Sequence, residues 1–182
     1  MSSEPGAIRY RRAAASDADA VAGLHADSWR RNYRGAYRDS YLDGDVFNDR
    51  LSVWGDRLEH RHPQAHTIVA DDDGTVVGFS HTILRHHPTW GALLENLHVR
   101  HDMAGRGIGS RLMAEAAAVV LDAPPVTAIH LTVLAQNVAA QKFYRARGGT
   151  WVEERTAGPF PGGGTAPAYC FAWPDPTALT MP

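Results

Sequence analysis

The sequence is poor in residues that mark several common classes of protein. Its 182 residues include a single cysteine, Cys170, which excludes an internal disulfide and a zinc site built from several cysteines. Its 18 basic side chains are outnumbered by 20 acidic ones, whereas proteins that bind nucleic acids or anionic membranes usually carry a basic excess. We therefore expect no nucleic-acid partner and no membrane partner.

Long apolar runs are also missing. No stretch approaches the roughly 18 apolar residues of a membrane span, and the opening MSSEPGAIRYRR lacks the apolar core of a signal peptide. The lone cysteine, in a predicted strand among apolar neighbours, fits a reducing compartment and a buried, unreactive thiol. These features predict a cytoplasmic protein with one domain over 7–173 and loose termini at 1–6 and 174–182.

Ten histidines raise the question of a metal site. His60, His62 and His66 are close in sequence, and His86 precedes His87. None of them forms a helical i, i+4 pair beside a glutamate, and no cysteine cluster supports them. We therefore expect no metal.

The most informative stretch is 93–109, which reads LLENLHVRHDMAGRGIG. Apolar and polar residues alternate as far as Val99, which predicts a strand; a glycine-rich turn and then helical spacing follow. The first N–H groups of a helix have no intrahelical partner, and the helix dipole favours negative charge there. Because the turn's three glycines let a ligand approach the backbone closely, we interpret the stretch as a pyrophosphate-binding turn.

Two common phosphate-binding motifs do not fit this turn. The pattern G-x-G-x-x-G would start at Gly107, but Leu112 stands where the third glycine is needed. The Walker pattern requires a lysine and then a serine or threonine, whereas Ser110 and Arg111 follow the last glycine. A structural connector without a ligand is the alternative interpretation.

Hydrophobic periodicity along the chain predicts the element order β-α-α-β-β-β-α-β-α-β-β. This mixture of strand runs and helices favours the α/β (α+β mixed) class, with helices on both faces of a mixed sheet. Ser16 is the expected N-cap of the first helix. The segments 85–91 and 157–165 are expected to be loops.

From about Ile8 to Trp173 the chain resembles the GCN5-related N-acetyltransferase (GNAT) family. The turn is similar to the family loop (Q/R)-x-x-G-x-(G/A), although Ala104 stands where glutamine or arginine is usual. The segment LTVLAQNVAAQKFYRARGG is similar to the family's N-x-x-A-x-x-F-Y-x-x-x-G. Its fixed positions are filled by Asn137, Ala140, Phe143, Tyr144 and Gly148.

The resemblance implies a mostly antiparallel seven-stranded sheet flanked by about four helices. It also implies an enzyme that transfers the acetyl group of acetyl-CoA to a primary amine of a small molecule by direct attack. Backbone groups of Leu97 and Val99 would pair with the pantetheine arm, and the amides of 104–110 would hold the pyrophosphate. The implied cofactor-binding residues are Leu97, His98, Val99, Ala104, Gly105, Arg106, Gly107, Ile108, Gly109, Ser110, Asn137, Ala140 and Phe143.

The chemistry requires a base and an acid. An alkylamine has a pKa of about 10 and must lose a proton before it attacks. Glu95 is the candidate base, by its place on the strand before the turn and its resemblance to polyamine N-acetyltransferases of the family. His98 is a second candidate, but strand alternation predicts that it points away from Glu95. The resemblance assigns Tyr144 as the acid for the CoA thiolate. The alternative for Glu95 is a solvated or salt-bridged strand carboxylate, and the alternative for Tyr144 is a core aromatic residue beside Phe143.

The acceptor site is less well defined. The candidate substrate residues are Trp29, Tyr33 and Glu95, while the alternative for the aromatic segment 29–42 is a helix–turn–helix that serves the core. Two further functions stay open: a catalytically inactive CoA-binding module, and an acetyltransferase for protein or peptide amines. The family analogy also suggests a homodimer.

The charge of the acceptor is open as well. An acidic substrate would suit Arg30, Arg31 and Arg34, whereas a cationic amine would suit Glu95 and Asp39.

Overall fold

A computed structural model describes residues 7–125, 128–160 and 163–180. The predicted loose segment 1–6 lies outside these residues. The five helices are α1 (Ala18–Asn32), α2 (Asp39–Asp43), α3 (Val46–Glu59), α4 (Ile108–Leu121) and α5 (Val138–Ala146). The seven strands are β1 (Arg9–Arg12), β2 (Ala65–Asp72), β3 (Thr75–His87), β4 (Gly91–Val99), β5 (Ile129–Leu134), β6 (Thr150–Ala157) and β7 (Ala166–Trp173).

The strands form one sheet in the order β1-β2-β3-β4-β5-β7-β6. Every neighbouring pair is antiparallel except β4 and β5, which run parallel. The predicted mixed, mostly antiparallel sheet is confirmed. The additional helix is the short α2, at the end of the segment 29–42 for which a helix–turn–helix was the alternative interpretation.

The parallel pairing between β4 and β5 is short. Only Ala92 with Ile129 and Leu93 with His130 are in register. Beyond these pairs the two strands have no shared ladder, so a gap opens in the sheet towards their C-terminal ends. This gap positions the candidate site.

Helices cover both faces of the sheet. Phe79 of β3 packs with Trp54 and Val21 from α3 and α1, whereas Val77 of β3 packs with Leu112 of α4 on the other face. Residues two apart on a regular strand share a face. Val77 and Phe79 nevertheless lie on opposite faces, because a bulge in β3 leaves Val77 without a partner in β2.

Three expectations from the sequence are wrong. The first concerns 85–91: β3 continues to His87 and pairs with Gly91 at the start of β4, so the predicted loop is a hairpin with a short turn. Its strand ends are irregular, since Arg85 has a φ of 52° and the register shifts beside it. Such a segment does not show strand alternation in its sequence.

The second concerns the start of the first helix. A single 3-10 turn over Ala15–Asp17 precedes α1, so Ser16 is not its N-cap. The Asp17 carboxylate instead accepts the Ala14 N–H at 2.7 Å and pairs with Arg11 at 2.8 Å. This partly buried ion pair helps to fix where the chain turns into the helix.

The third concerns the tail. Residues Pro176–Leu179 form a 3-10 turn, and the Asp175 carboxylate accepts the Thr177 N–H at 2.9 Å. Leu179 is 4% exposed and belongs to the core cluster of Trp173 and α4. The tail is therefore ordered by packing as far as this leucine, while 181–182 lie outside the described residues. No helix in the described part of the chain is long and apolar enough to cross a membrane.

Candidate active site

A cavity of about 580 Å³ fills the gap between β4 and β5. The start of α4, one face of α5 and the end of α1 close it. It brings together most of the predicted site residues: Tyr33, Glu95, Leu97, His98, Val99, Ala104, Gly105, Gly107, Ile108, Gly109, Ser110, Asn137, Ala140, Phe143 and Tyr144. Arg106 and Trp29 are not part of its lining.

Several lining residues were missed by the sequence analysis. Ser28 and Asn32 come from the last turns of α1, and Leu131, Thr132 and Val133 come from β5. No local motif marks these positions, because the cavity is formed by the divergence of two strands that are distant in sequence.

Trp29 belongs to the core instead. It is 7% exposed, and its ring lies 4.8 Å from that of Tyr37. The Arg50 guanidinium covers it at 4.5 Å. The alternative interpretation, in which this aromatic residue serves the core, is therefore the correct one for Trp29.

The turn before α4 presents free backbone donors to the cavity. Gly107 is the N-cap of α4, has a φ of 79° and provides no side-chain cap. The first helical N–H that reaches a backbone carbonyl is that of Arg111, which donates to Gly107 at 3.0 Å. Within the described residues, the N–H groups of 108–110 have no backbone acceptor, as expected for the first turn of a helix. A Cβ built on Gly107 would meet nothing within 4 Å, so the turn has room for an anionic group against its backbone.

The cavity-facing edge of β4 is unpaired beyond Leu93 within the described residues. Its backbone donors and acceptors from Leu94 to Val99 therefore stay available for an extended ligand. The opposite wall is β5, which β7 holds in place by an antiparallel ladder from Ile129 to Leu134.

Helix α5 is fixed at the end of β5 by side-chain hydrogen bonds. The Asn137 Oδ1 accepts the Ala140 N–H at 3.2 Å and caps the helix. The Gln141 amide donates to the carbonyls of Leu134 and Ala135, at 3.2 and 2.8 Å. These bonds set the rotation of α5 that directs Tyr144 into the cavity.

Tyr144 is 9% exposed and packs against Phe143, Phe171 and Trp173. Burial raises the pKa of its phenol, and the neighbouring Tyr33 adds to this effect. Burial also raises the pKa of Tyr33 to about 12. Both phenols therefore hold their protons at neutral pH and can act as donors.

A bulge in β4 changes the direction of Glu95. His81 pairs with Asn96 and Thr82 pairs with Leu94, which leaves Glu95 as the extra residue. Glu95 and His98 both contact the helices on the α1 and α3 face. The prediction from regular alternation that they point apart is therefore wrong.

Both carboxylate oxygens of Glu95 are engaged by one guanidinium. Arg57 of α3 donates to them at 2.5 and 3.3 Å. The Arg57 guanidinium also lies 5.1 Å from the centre of the Trp54 ring, which orients it. The Glu95 side chain is 31% exposed and borders the cavity, so its charge faces both Arg57 and the site.

His98 is hydrogen-bonded through Nδ1 to the Ser28 hydroxyl at 2.8 Å. Its ring lies 4.7 Å from that of His25, whose Nδ1 accepts the indole N–H of Trp54. Burial lowers the pKa of His98 to about 4. The imidazole is therefore neutral at pH 7 and has a lone pair with which to accept a proton.

The arginines of the aromatic segment have partners elsewhere. Arg31 pairs with Asp27 at 2.8 Å, and Arg30 donates to the Leu42 carbonyl at 2.9 Å. Arg34 pairs with Asp39 at 3.0 Å and with Asp43. The acidic acceptor that these arginines were expected to suit gains no support from their positions, and none of the three lines the cavity.

Within residues 7–125, 128–160 and 163–180, no group of three or more histidine, cysteine or acidic side chains could hold a metal ion. The Cys170 thiol is fully buried. Burial raises its pKa, so it stays protonated.

Comparison with known families decides what such a site belongs to. The model of the acetyltransferase (GNAT) family matches residues 26–148. The chain belongs to the GNAT acetyltransferase family. It is an acetyl-CoA-dependent N-acetyltransferase, and the turn before α4 and the unpaired edge of β4 fit a CoA ligand.

Solved structures with the same fold include complexes with this ligand. The chain is 18% identical to the PaiA N-acetyltransferase of Thermoplasma acidophilum in complex with coenzyme A, with 92% of this chain and 98% of that one covered and a TM-score of 0.69. It is 15% identical to YncA of Salmonella typhimurium with acetyl-CoA, with 92% of this chain and 94% of that one covered and a TM-score of 0.66. The chain is also 20% identical to the ribosomal-protein-alanine N-acetyltransferase of Brucella melitensis, with 91% of this chain and 98% of that one covered and a TM-score of 0.66. The search of curated proteins found no match.

Proposed function

We propose that this GNAT enzyme acetylates a primary amine of a small molecule rather than of a protein or peptide. A peptide acceptor needs a long open groove beside the reacting amine. The segment between α1 and α2, which borders the cavity through Tyr33, is instead packed against Phe160, Gly163 and Gly164, which are described residues between β6 and β7. This contact is the observation that carries the proposal.

The contact has three parts. The rings of Tyr37 and Phe160 stack with centres 4.4 Å apart. A Cβ on Gly163 would lie 3.3 Å from the Arg38 guanidinium, and one on Gly164 would lie 3.2 Å from the Ala36 carbonyl. The two segments therefore meet closely and leave little space between them for an extended chain.

The experiment is an assay of thiol release from acetyl-CoA with a panel of small primary amines and a set of octapeptides with free N-termini or lysines. We expect turnover with at least one small amine and none with the peptides. A Phe160→Ala variant removes the stacked ring and should admit peptides without a loss of turnover on small amines. Efficient peptide acetylation by the wild type would contradict the proposal.

The cofactor is proposed to lie along the gap. The pantetheine arm would pair with the free edge of β4 at Leu97 and Val99. The pyrophosphate would accept hydrogen bonds from the amides of 105–110, because the Ala104 N–H already donates to the His101 carbonyl at 3.2 Å. The other proposed contacts are His98, Asn137, Ala140 and Phe143. Arg106, whose side chain is outside the lining, would contribute only its backbone.

Three side chains would handle protons and charge. The Tyr144 hydroxyl would protonate the departing thiolate, because its phenol is protonated and faces the cavity. His98 would take the proton that the nitrogen releases once it has attacked the thioester, because its ring is neutral and lines the cavity whereas both oxygens of Glu95 are engaged by Arg57. Glu95 would attract the cationic amine towards the bulge.

The pH profile tests the assignment of the base. The neutral form of His98 persists above its pKa of about 4, so activity should be lost as pH falls through about 4. His98→Gln should lower kcat by about 100-fold, whereas Glu95→Gln should keep the acid limb near the same pH. An acid limb that vanishes in Glu95→Gln and persists in His98→Gln would transfer the role to Glu95.

Stability needs a control in this experiment. Burial lowers the pKa of His25 and His81 as well as that of His98. The unfolded chain therefore binds more protons below about pH 6.5, and the free energy of unfolding falls as the pH is lowered. Each assay is paired with circular dichroism and with re-assay at pH 7.

The ion pair between Glu95 and Arg57 also favours the second candidate, a CoA-binding module without catalysis, because it leaves neither Glu95 oxygen free to act as a base. Binding of CoA without thiol release for any amine would support that alternative. A cytoplasmic location and a homodimer stay predictions of the sequence.

A further inference from the structure

A second cavity of about 380 Å³ lies between the end of α3 and strands β1 to β3. It is distinct from the candidate active site and shares no lining residue with it. Basic side chains dominate its lining, with one carboxylate among them. The polar and charged lining residues are Arg12, Asp56, Arg57, His60, Arg61, His62, Thr67 and His81.

The positive charge of this cavity is only partly neutralised. Within the described residues, neither Arg12 nor Arg61 has a carboxylate partner. Arg61 donates one N–H to the Ala13 carbonyl at 2.7 Å, which orients its guanidinium while its remaining donors stay free. Asp56 lies 3.1 Å from His60.

The negative charges around this cavity, which would repel an anion, are smaller in sum than its positive charges. The C-terminal end of α3 contributes roughly half a negative charge, and Asp56 contributes one. Arg12, Arg57 and Arg61 together carry three positive charges, one of which is shared with Glu95. The balance of the cavity is therefore positive, in a chain whose net charge is −2.

The floor of the cavity adds polar groups. The Thr67 hydroxyl and His81 Nδ1 are 2.8 Å apart, and both residues are buried. An anion bound by the guanidinium groups would lie beside the Thr67 hydroxyl and the His81 ring. Guanidinium groups recognise carboxylate and phosphate in a bidentate manner, and three arginines line this cavity.

We propose that this cavity binds the carboxylate or phosphate group of a small anionic ligand, and that the bound anion competes with Glu95 for Arg57. Arg57 lines the second cavity while its guanidinium holds both oxygens of Glu95, which lines the first. Glu95 accepts from both terminal nitrogens of the Arg57 guanidinium. An anion in the second cavity that draws on the same nitrogens weakens this ion pair and loosens the Glu95 carboxylate beside the active site.

The site is tested by calorimetric titration of inorganic phosphate, and separately of succinate, into the full chain. Titrations with and without saturating CoA separate this site from phosphate bound at the start of α4. Arg12→Ala/Arg61→Ala should weaken binding by about tenfold or more, and Arg12→Lys/Arg61→Lys should retain part of the affinity. The matched control Arg31→Ala/Arg85→Ala removes two arginines from the surface elsewhere and should bind as the wild type does.

The competition is tested with Glu95→Gln, which keeps the shape of the side chain and removes its charge. Because Arg57 is then released, phosphate or succinate should bind several-fold more tightly than to the wild type. Equal affinity in wild type and Arg12→Ala/Arg61→Ala, or no binding of either anion, overturns the site. An unchanged affinity in Glu95→Gln overturns the competition. The anion that binds more tightly identifies the ligand as a phosphate or a carboxylate.

Discussion

We expect Gly107→Trp to weaken the binding of acetyl-CoA strongly. A side chain at this position projects into open space at the start of α4, where the pyrophosphate is proposed to accept backbone hydrogen bonds. Loss of charge-assisted hydrogen bonds from several amides should weaken binding by at least about 100-fold. Isothermal calorimetry on the two proteins measures this difference directly.

The control is Gly74→Trp. Gly74 has a φ of 86°, close to the 79° of Gly107, and a Cβ built there also meets nothing within 4 Å. Both variants therefore carry the same backbone strain of about 1 kcal/mol, but Gly74 lies in the turn between β2 and β3. Wild-type affinity in Gly74→Trp shows that the effect at 107 comes from the site. Equal affinity in Gly107→Trp and the wild type would remove the pyrophosphate from this turn.

We expect Tyr144→Phe to lower kcat by about 100-fold and to leave the KM for acetyl-CoA unchanged. The substitution removes only the hydroxyl, which is proposed to donate to the leaving thiolate late in the reaction. Because the aromatic packing on Phe171 and Trp173 is kept, the fold and the cofactor affinity should persist. Steady-state kinetics with a small-amine acceptor measure both constants.

Tyr169→Phe is the matched control, since Tyr169 of β7 is outside the lining of the cavity. Its kcat should equal that of the wild type. The raised pKa of Tyr144 adds a second check, because a phenol that keeps its proton in alkaline solution gives no loss of activity between pH 8 and about 10. A kcat for Tyr144→Phe within about twofold of the wild type would assign the thiolate's proton to another donor.

The sequence predicted the parts of this molecule that depend on local pattern. The glycine turn at 105–109 and the helix containing Tyr144 are recognisable because their spacing reflects one backbone geometry each. Both were found in the cavity. The element order followed in the same way, from periodicity where an element buries one face and from an apolar run where, as in β5, nearly every residue is buried.

The orientation of Glu95 and His98 could not be predicted in this way. It depends on a bulge in β4. A bulge arises from the register between β4 and β3, which the sequence of either strand alone does not determine. The same is true of Trp29, which packs on residues brought together by the tertiary fold. The segment around Leu179 was predicted to be a loose tail, because a single leucine in a proline-rich segment gives no hydrophobic periodicity.

The two residue pairs that join β4 to β5 divide the sheet into two antiparallel ribbons, with packing of α4 as the other main connection. Side chains from both ribbons share one core cluster with α4, but the edges of β4 and β5 that face the gap have no partner strand there. Their amide hydrogens should therefore exchange faster than those of the antiparallel ladders when no ligand is bound. A ligand that pairs with these edges should slow this exchange in proportion to its occupancy, so the exchange rates report how fully the gap is filled.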